Sequence, residues 1–451
     1  MHPWIGAGPE DRDRILAELG LSSADELFAT IPDAVKVDSL GLGGARDEAA
    51  LLREFGDLAA ANTPVSSVPS FLGAGTYHHV QPAVVDAVLQ RAEFYTSYTP
   101  YQPEISQGTL QAIFEFQTMV CQLTGLEVAN ASLYDGATSL VEAALMAHRV
   151  LRGKRNRVVV AETVHPMYRR VLHTYAGALG IEVVEVAPGD DGRTSPEALA
   201  AAAGDEACAV IVQSPSFVGT LEDLGAVAEA AHGVGALAVQ VVAEAVSLGL
   251  LRGGGDHGFD IVCGEAQSFG LAPGFGGPHL GFFACRSAHV RQMPGRVVGQ
   301  TVDSEGRRAF CLTLSTREQH IRRAKATSNI CTNHGLMALA ATVWLELLGG
   351  EGLRRVAAAS LAAARSFASR VAELPGWRLA WPETAAFNEL LVVGPRPGAE
   401  LAGELARDGV LAGVPSRLWG GSWPDGLLVA FTERTTGAQV DALLDAMGRI
   451  R

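Results

Sequence analysis

Between residues 128 and 262 the apolar positions alternate between two periods. Runs recurring every three to four residues predict helices over 137–151, 166–179 and 221–232. Short, nearly continuous apolar runs predict strands over 157–161, 181–186, 209–213, 236–242 and 260–263. Strands of this kind, alternating with helices, imply a mainly parallel sheet covered on both faces. Upstream, helical spacing appears over 13–19 and 46–60, separated by the Gly41-Leu42-Gly43-Gly44 break, and again over 82–94 and 109–123. After Gly277 the pattern predicts a hairpin over 296–302 and 308–314. A long amphipathic helix then places Leu336, Ala340, Val343 and Leu347 on one face. From about residue 354, one long helix, strands near 377–380, 389–393 and 427–431, and helices near 399–406 and 439–447 read as a small α+β domain. The expected organisation is an N-terminal helical segment over 1–62, a large α/β domain over 63–350 and the small domain over 351–451.

Composition narrows the function classes. A chain of 451 residues, 48% of them hydrophobic, can build its core without disulfides or a metal. Its net charge of -14 disfavours a nucleic-acid footprint, which needs a basic surface. The N-terminus shows no basic segment followed by an apolar run. The longest apolar stretch, 224–251, is interrupted by Glu229, His232, Gln240 and Glu244, and reads as helix, turn and buried strand rather than a membrane span. The six cysteines form no C-x-x-C pair and mostly sit in apolar runs, as buried hydrophobes of a reducing cytosol do. A cytoplasmic protein is expected. Of the 35 basic residues only three are lysines, Lys36, Lys154 and Lys325. Chemistry that needs a lysine has three candidates.

Most short motifs dissolve on inspection. Gly233-Val234-Gly235 ends a helix and precedes a strand, the reverse of a dinucleotide-binding turn. Adjacent His78 and His79 point to opposite sides of an extended chain, so no metal site is expected there. Asp135, ahead of Gly136-Ala137-Thr138-Ser139, reads as a helix cap that repels anions. Two segments stand apart. The run from Phe94 to Glu104 packs Tyr95, Tyr98 and Tyr101 with two prolines, in a chain of seven tyrosines. It suits a rigid ligand rim or protein interface, or equally a buried loop crossing the core. The other, Gly264-Glu265-Ala266-Gln267-Ser268-Phe269 and the glycine-rich stretch to His279, follows a buried strand, where open α/β sheets place ligands. It carries no basic residue before His279.

Longer motifs run through the chain: Phe71-Leu72-Gly73-Ala74-Gly75-Thr76-Tyr77, Tyr98-Thr99-Pro100-Tyr101-Gln102-Pro103-Glu104, Gly276-Gly277-Pro278-His279-Leu280-Gly281, and Thr316-Arg317-Glu318-Gln319-His320-Ile321-Arg322-Arg323. With Ala326-Thr327-Ser328-Asn329-Ile330-Cys331, they resemble the P proteins of the glycine cleavage system, in particular the α subunit (subunit 1) of split glycine dehydrogenases (decarboxylating). The resemblance covers nearly the whole chain. Ala324 and His334 depart from it, standing where Glu and Gln are expected in a helical stretch after Arg317. It implies an aminotransferase-like fold of type I, the large domain of pyridoxal-phosphate (PLP) transferases. It also implies a PLP-binding partner subunit in an α2β2 assembly, glycine as substrate, and a lipoyl H protein that receives the aminomethyl group.

In the family's catalytic subunit a lysine anchors PLP, and its position falls on Gln267 here, where an amide cannot form the covalent link. The aspartate that pairs the cofactor's ring nitrogen falls in Val242-Ala243-Glu244-Ala245, where Glu244 is the substitute available. None of the three lysines follows a central strand. The chain is therefore expected to be catalytically silent alone and to lend Tyr95, Tyr98 and Tyr101, with Tyr77, His78 and Gln107, to the partner's site or entrance. The alternatives are a purely structural or docking partner that stabilises the catalytic subunit, and an independent PLP enzyme using one of the three lysines.

Overall fold

The computed structural model describes residues 6, 8–37, 39–96 and 98–450. Two compact units emerge, Met1–Thr63 and Pro64–Arg451. In the first, the helices Pro9–Glu18 and Glu48–Ala60 are joined through short 3-10 turns. Its apolar side chains, among them Leu51, Leu52, Phe55 and Leu58, are exposed. Of its described residues only Gly8 is buried, so this unit has no core of its own.

The second unit is built on seven strands: β1 (Val128–Ala129), β2 (Arg157–Ala161), β3 (Glu182–Val186), β4 (Ala207–Gln213), β5 (Leu237–Val242), β6 (Ile261–Glu265) and β7 (Gly281–Cys285). Their spatial order is β1-β7-β6-β5-β4-β2-β3. Strands β3, β2, β4, β5 and β6 are parallel, while β7 is antiparallel to both β6 and β1. Every residue of β4, β5, β6 and β7 is buried. Apolar runs without a polar alternate have that fate when helices cover both faces. The helices Gly136–Val150, Pro166–Leu179, Pro196–Ala203 and Leu224–Gly233 supply much of that cover. Several short elements escaped the sequence pattern, β1 among them. β7 is a short Gly-Phe-Phe-Ala-Cys run with no β-branched residue, and the helix Pro196–Ala203 is so alanine-rich that it shows no periodic face.

A hairpin, β8 (Val297–Val302) and β9 (Arg308–Thr313), stands beside this sheet. The C-terminal region forms a second, antiparallel sheet from β10 (Arg378–Leu379), β11 (Glu389–Val393), β12 (Val414–Pro415) and β13 (Leu427–Ala430), in the order β10-β11-β13-β12. The helices Gly398–Arg407 and Gly437–Arg449 pack with it in a separate core that includes Trp377, Leu401, Phe431 and Leu443. The helix Gly335–Val371 serves both cores. Ala338, Ala341 and Trp344 join the first and Ala364, Phe367 and Val371 the second, on either side of a break at Gly349.

Three expectations need correction. On that helix Ala340 is buried, but Leu336 and Val343 are half-buried and Leu347 is exposed. The core face runs instead through Ala338, Ala341, Trp344 and Leu345, because the helix is apolar nearly all round and periodicity does not single out one stripe. The stretch after Arg317 is helical only over Gln319–Arg322; Arg323, at φ 52, stops it, and irregular backbone follows the turn Arg323–Lys325. Of the cysteines, Cys208, Cys263 and Cys285 are buried, Cys121 and Cys311 half-buried and Cys331 exposed, all as free thiols.

Candidate functional site

Parallel strands bring their C-terminal ends to one edge, and the strand order reverses between β2 and β4, which leaves a crevice there. Gln213 ends β4, and the segments leaving β2, β5 and β6 carry His165, Glu244 and Gln267; all four are buried. The crevice is filled by the chain's own segment 71–80. Tyr77 N donates to Gln267 Oε1 at 3.0 Å, and Gln267 Nε2 donates to Tyr77 O at 3.1 Å and to Leu271 O. Glu389, at the start of β11, accepts from Ala74 N at 2.6 Å and from the Tyr77 hydroxyl at 2.8 Å. Gly73 makes this close approach possible: a Cβ there would come within 2.4 Å of Ala430 Cβ and 2.5 Å of Glu389 Oε1.

Ion pairs bolt the same segment. His79 lies between Glu433, 2.6 Å from Nδ1, and Glu244, 3.1 Å from Nε2. Burial pulls the imidazole's pKa down, but the two carboxylates outweigh it and raise it to about 9. Glu389 is pushed up to about 7 by burial, against the hydrogen bonds from Ala74 and Tyr77. His165 receives an N–H from Met167 on Nδ1, so Nε2 carries the proton that it gives to Ala74 O at 2.9 Å. Burial holds its pKa down at about 4.

Pyridoxal phosphate does not fit these residues. Its covalent anchor needs an amine, and Gln267 offers an amide with both ends engaged. Its phosphate would need free amides or cations at the N-terminus of the helix Gly136–Val150. There Asp135 accepts from Thr138 N at 2.7 Å and Glu265 from Gly136 N at 3.1 Å. Two carboxylates on one helix N-terminus repel a dianion. Glu265 also accepts from Gln267 N and Leu280 N and pairs with His279 at 3.1 Å. The Tyr168 ring stacks on His165 with centroids 4.6 Å apart, and its hydroxyl lies so near Gly136 that a Cβ there would meet it at 2.4 Å. Glu244 cannot turn to a ring nitrogen while it holds His79 and Val246 N.

The tyrosine loop does not cross the core: Tyr95 and Tyr98 are 72% and 76% exposed and Tyr101 43%. Tyr98 and Tyr101 meet edge to face at 6.1 Å, and Tyr101 meets His320 at 5.5 Å. Thr99 and Pro100, between them, are buried, and the Thr99 and Thr332 hydroxyls lie 3.3 Å apart. Of the other expected site residues, Gln107 is fully engaged with Phe310 and Pro103, tying the loop to β9. Tyr77 is buried under Glu389. His78 is half-buried, and its pKa is depressed by burial and the nearby Arg434. His78 and His79 do face different surroundings. The loop thus brings Tyr98 and Tyr101 together, with Tyr95 exposed on the same loop, while Tyr77 and His78 belong to the segment in the crevice. Sequence reasoning missed Glu265 and Glu389. The available signal was an acid inside or opening an apolar strand run.

The chain matches the family model of the glycine cleavage system P-protein over residues 2–447. It is 48% identical over 438 residues to "Probable glycine dehydrogenase (decarboxylating) subunit 1" of Thermomicrobium roseum, covering 97% of each chain. To the protein of the same name from Xanthobacter autotrophicus it is 52% identical, covering 96% of each. It superposes with a TM-score of 0.90, at 45% identity and 99% coverage of both chains, on a crystal structure of glycine decarboxylase (P-protein) of the glycine cleavage system in inhibitor-bound form. A NifS-like protein, 14% identical with a TM-score of 0.62 over 84% of this chain and 98% of its own, shares the fold, that of type I PLP-dependent enzymes. The chain belongs to the glycine cleavage system P-protein family and works as a P-protein subunit in glycine cleavage.

Proposed function

We propose that this chain is the subunit of a glycine dehydrogenase (decarboxylating) that does not anchor PLP, and that it works in the cytoplasm with a PLP-binding subunit in an α2β2 assembly. The complex releases the glycine carboxylate as carbon dioxide and passes the aminomethyl group to the lipoyl arm of the H protein. The observation that carries this reading is Gln267. It stands where the family's lysine belongs, and both ends of its amide hold the chain's own Tyr77 in the crevice. Lys36, Lys154 and Lys325 are all exposed; Lys154 precedes β2 and Lys325 lies in the turn Arg323–Lys325, neither at the C-terminal end of a strand of the central sheet. What the chain offers is the rim of Tyr95, Tyr98 and Tyr101, whose rings and hydroxyls suit a site completed across a subunit interface.

The test is a PLP titration of the chain with and without its partner, read by visible absorbance and borohydride trapping. The expected result is a trapped adduct on the partner's peptide only. A reducible adduct on this chain alone overturns the reading.

A further inference from the structure

Beneath the tyrosine rim lies a buried ion pair that neither packing nor stability explains. The Arg296 side chain is 3% exposed and the Glu318 side chain 9%, with Arg296 Nε 3.2 Å from Glu318 Oε2. The N–H is not aimed at that oxygen, and Arg296 Nε and Nη1 and Glu318 Oε1 have no hydrogen-bond partner among the described residues. A buried pair with unmet hydrogen bonds is a poor source of stability. Among the described residues, the one directed bond the guanidinium makes is from Nη2 to the Tyr101 hydroxyl, at 2.7 Å, and its carbon lies 5.3 Å from the Tyr101 ring centroid. His320 closes the other side, its ring 5.5 Å from Tyr101 and its Nδ1 3.6 Å from Glu318.

We infer that Arg296, held by Glu318, is a positioning residue for glycine cleavage. It fixes the ring of Tyr101 and fills an acceptor site on its hydroxyl oxygen. The hydroxyl proton, which has no acceptor among the described residues, is then directed outward as a donor to an oxygen presented across the subunit interface, such as a carboxylate. This inference rests on the reading that the tyrosine rim serves the partner's site.

The test is a mutant cycle in the assembled enzyme, measuring carbon dioxide release from glycine with the lipoyl H protein as acceptor. Tyr101→Phe is expected to lower kcat/KM by roughly 100-fold, the cost of removing one positioned hydrogen-bond donor. The charge-free pair Arg296→Met/Glu318→Gln is expected to assemble with an unchanged Tm and lose about as much. The triple variant should lose no more than Tyr101→Phe alone. Losses that multiply in the triple variant overturn the role of Arg296 while leaving the rim's role intact. A silent Tyr101→Phe overturns both. Should the double variant misfold, Arg296→Lys keeps the charge but not the planar fork. It should lose activity in the native background and none in the Tyr101→Phe background; a loss in both overturns the inference.

Discussion

Gln267 and Tyr77 exchange two hydrogen bonds, Tyr77 N to Gln267 Oε1 and Gln267 Nε2 to Tyr77 O, as two strands pair in a sheet. A side-chain amide here imitates a peptide group, and segment 71–80 is held in the strand-end crevice as though it were one more strand. Gln267 is thereby a structural link between the end of β6 and segment 71–80.

A lysine introduced at residue 267 is therefore not expected to anchor PLP. Gln267→Lys removes both bonds to Tyr77 and buries an amine, which costs about 2–3 kcal/mol of stability. The variant should show a lower Tm and no borohydride-trapped PLP. A stoichiometric adduct on residue 267 would show that segment 71–80 yields the crevice readily.

Stability should fall as pH rises from neutrality. His79 has its pKa raised from 6.5 to about 9, so its contribution is complete below 6.5 and lost as pH climbs through 9. The shift corresponds to roughly 3 kcal/mol. Glu389, raised from 4.5 to about 7, acts in the same direction over its own window, because the folded state prefers the protonated carboxyl. His165, lowered to about 4, opposes them below pH 6.5 only. Thermal unfolding should show Tm declining between pH 6.5 and 9, with a shallower slope in Glu433→Gln. A flat profile in the native protein would remove the His79 clamp from the argument.

Substitutions on the rim should separate activity from folding. Tyr98 is 76% exposed, and its ring meets Tyr101 at its edge, so Tyr98→Ala is expected to shift Tm by less than about 0.5 kcal/mol equivalent. In the assembled enzyme it should lower turnover or weaken the lipoyl-protein interaction. Unchanged kinetics would favour a purely structural role for the chain.

Gly73→Ala addresses the crevice from the other side. Its Cβ would meet Ala430 and Glu389, and overpacking at such a site costs about 1–3 kcal/mol. Denaturant unfolding should register that loss; a neutral substitution would mean the segment is less tightly seated.

Thiol accessibility supplies an independent check of the fold. Cys331 is exposed, whereas Cys208 and Cys285 are buried and burial pushes their thiols up to about 12. An aromatic disulfide reagent should modify Cys331 first, with Cys208, Cys263 and Cys285 reacting only on denaturation. Rapid reaction at Cys263 in the native protein would contradict a fully buried β6.

Much of this was legible in the sequence because its causes are local. Valine-rich runs separated by helical periods specify buried parallel strands whatever lies beyond them, and β2, β3 and β4 appear where the pattern puts them. The absence of an amine at residue 267 and the concentration of tyrosines over 95–101 are facts of composition, and long motifs identify the family. The tertiary structure decided what those residues face. Nothing near Glu389 in the chain shows that it caps Ala74 and Tyr77, and nothing near His79 shows that it sits between Glu244 and Glu433. Likewise Arg296 meets Tyr101 only because β8 and the loop before the helix Gln107–Thr124 are folded side by side. Periodicity records which side of an element is buried, an average over neighbours. A hydrogen bond or ion pair depends on one partner at about 3 Å, and for residues far apart in the chain only the fold sets that distance.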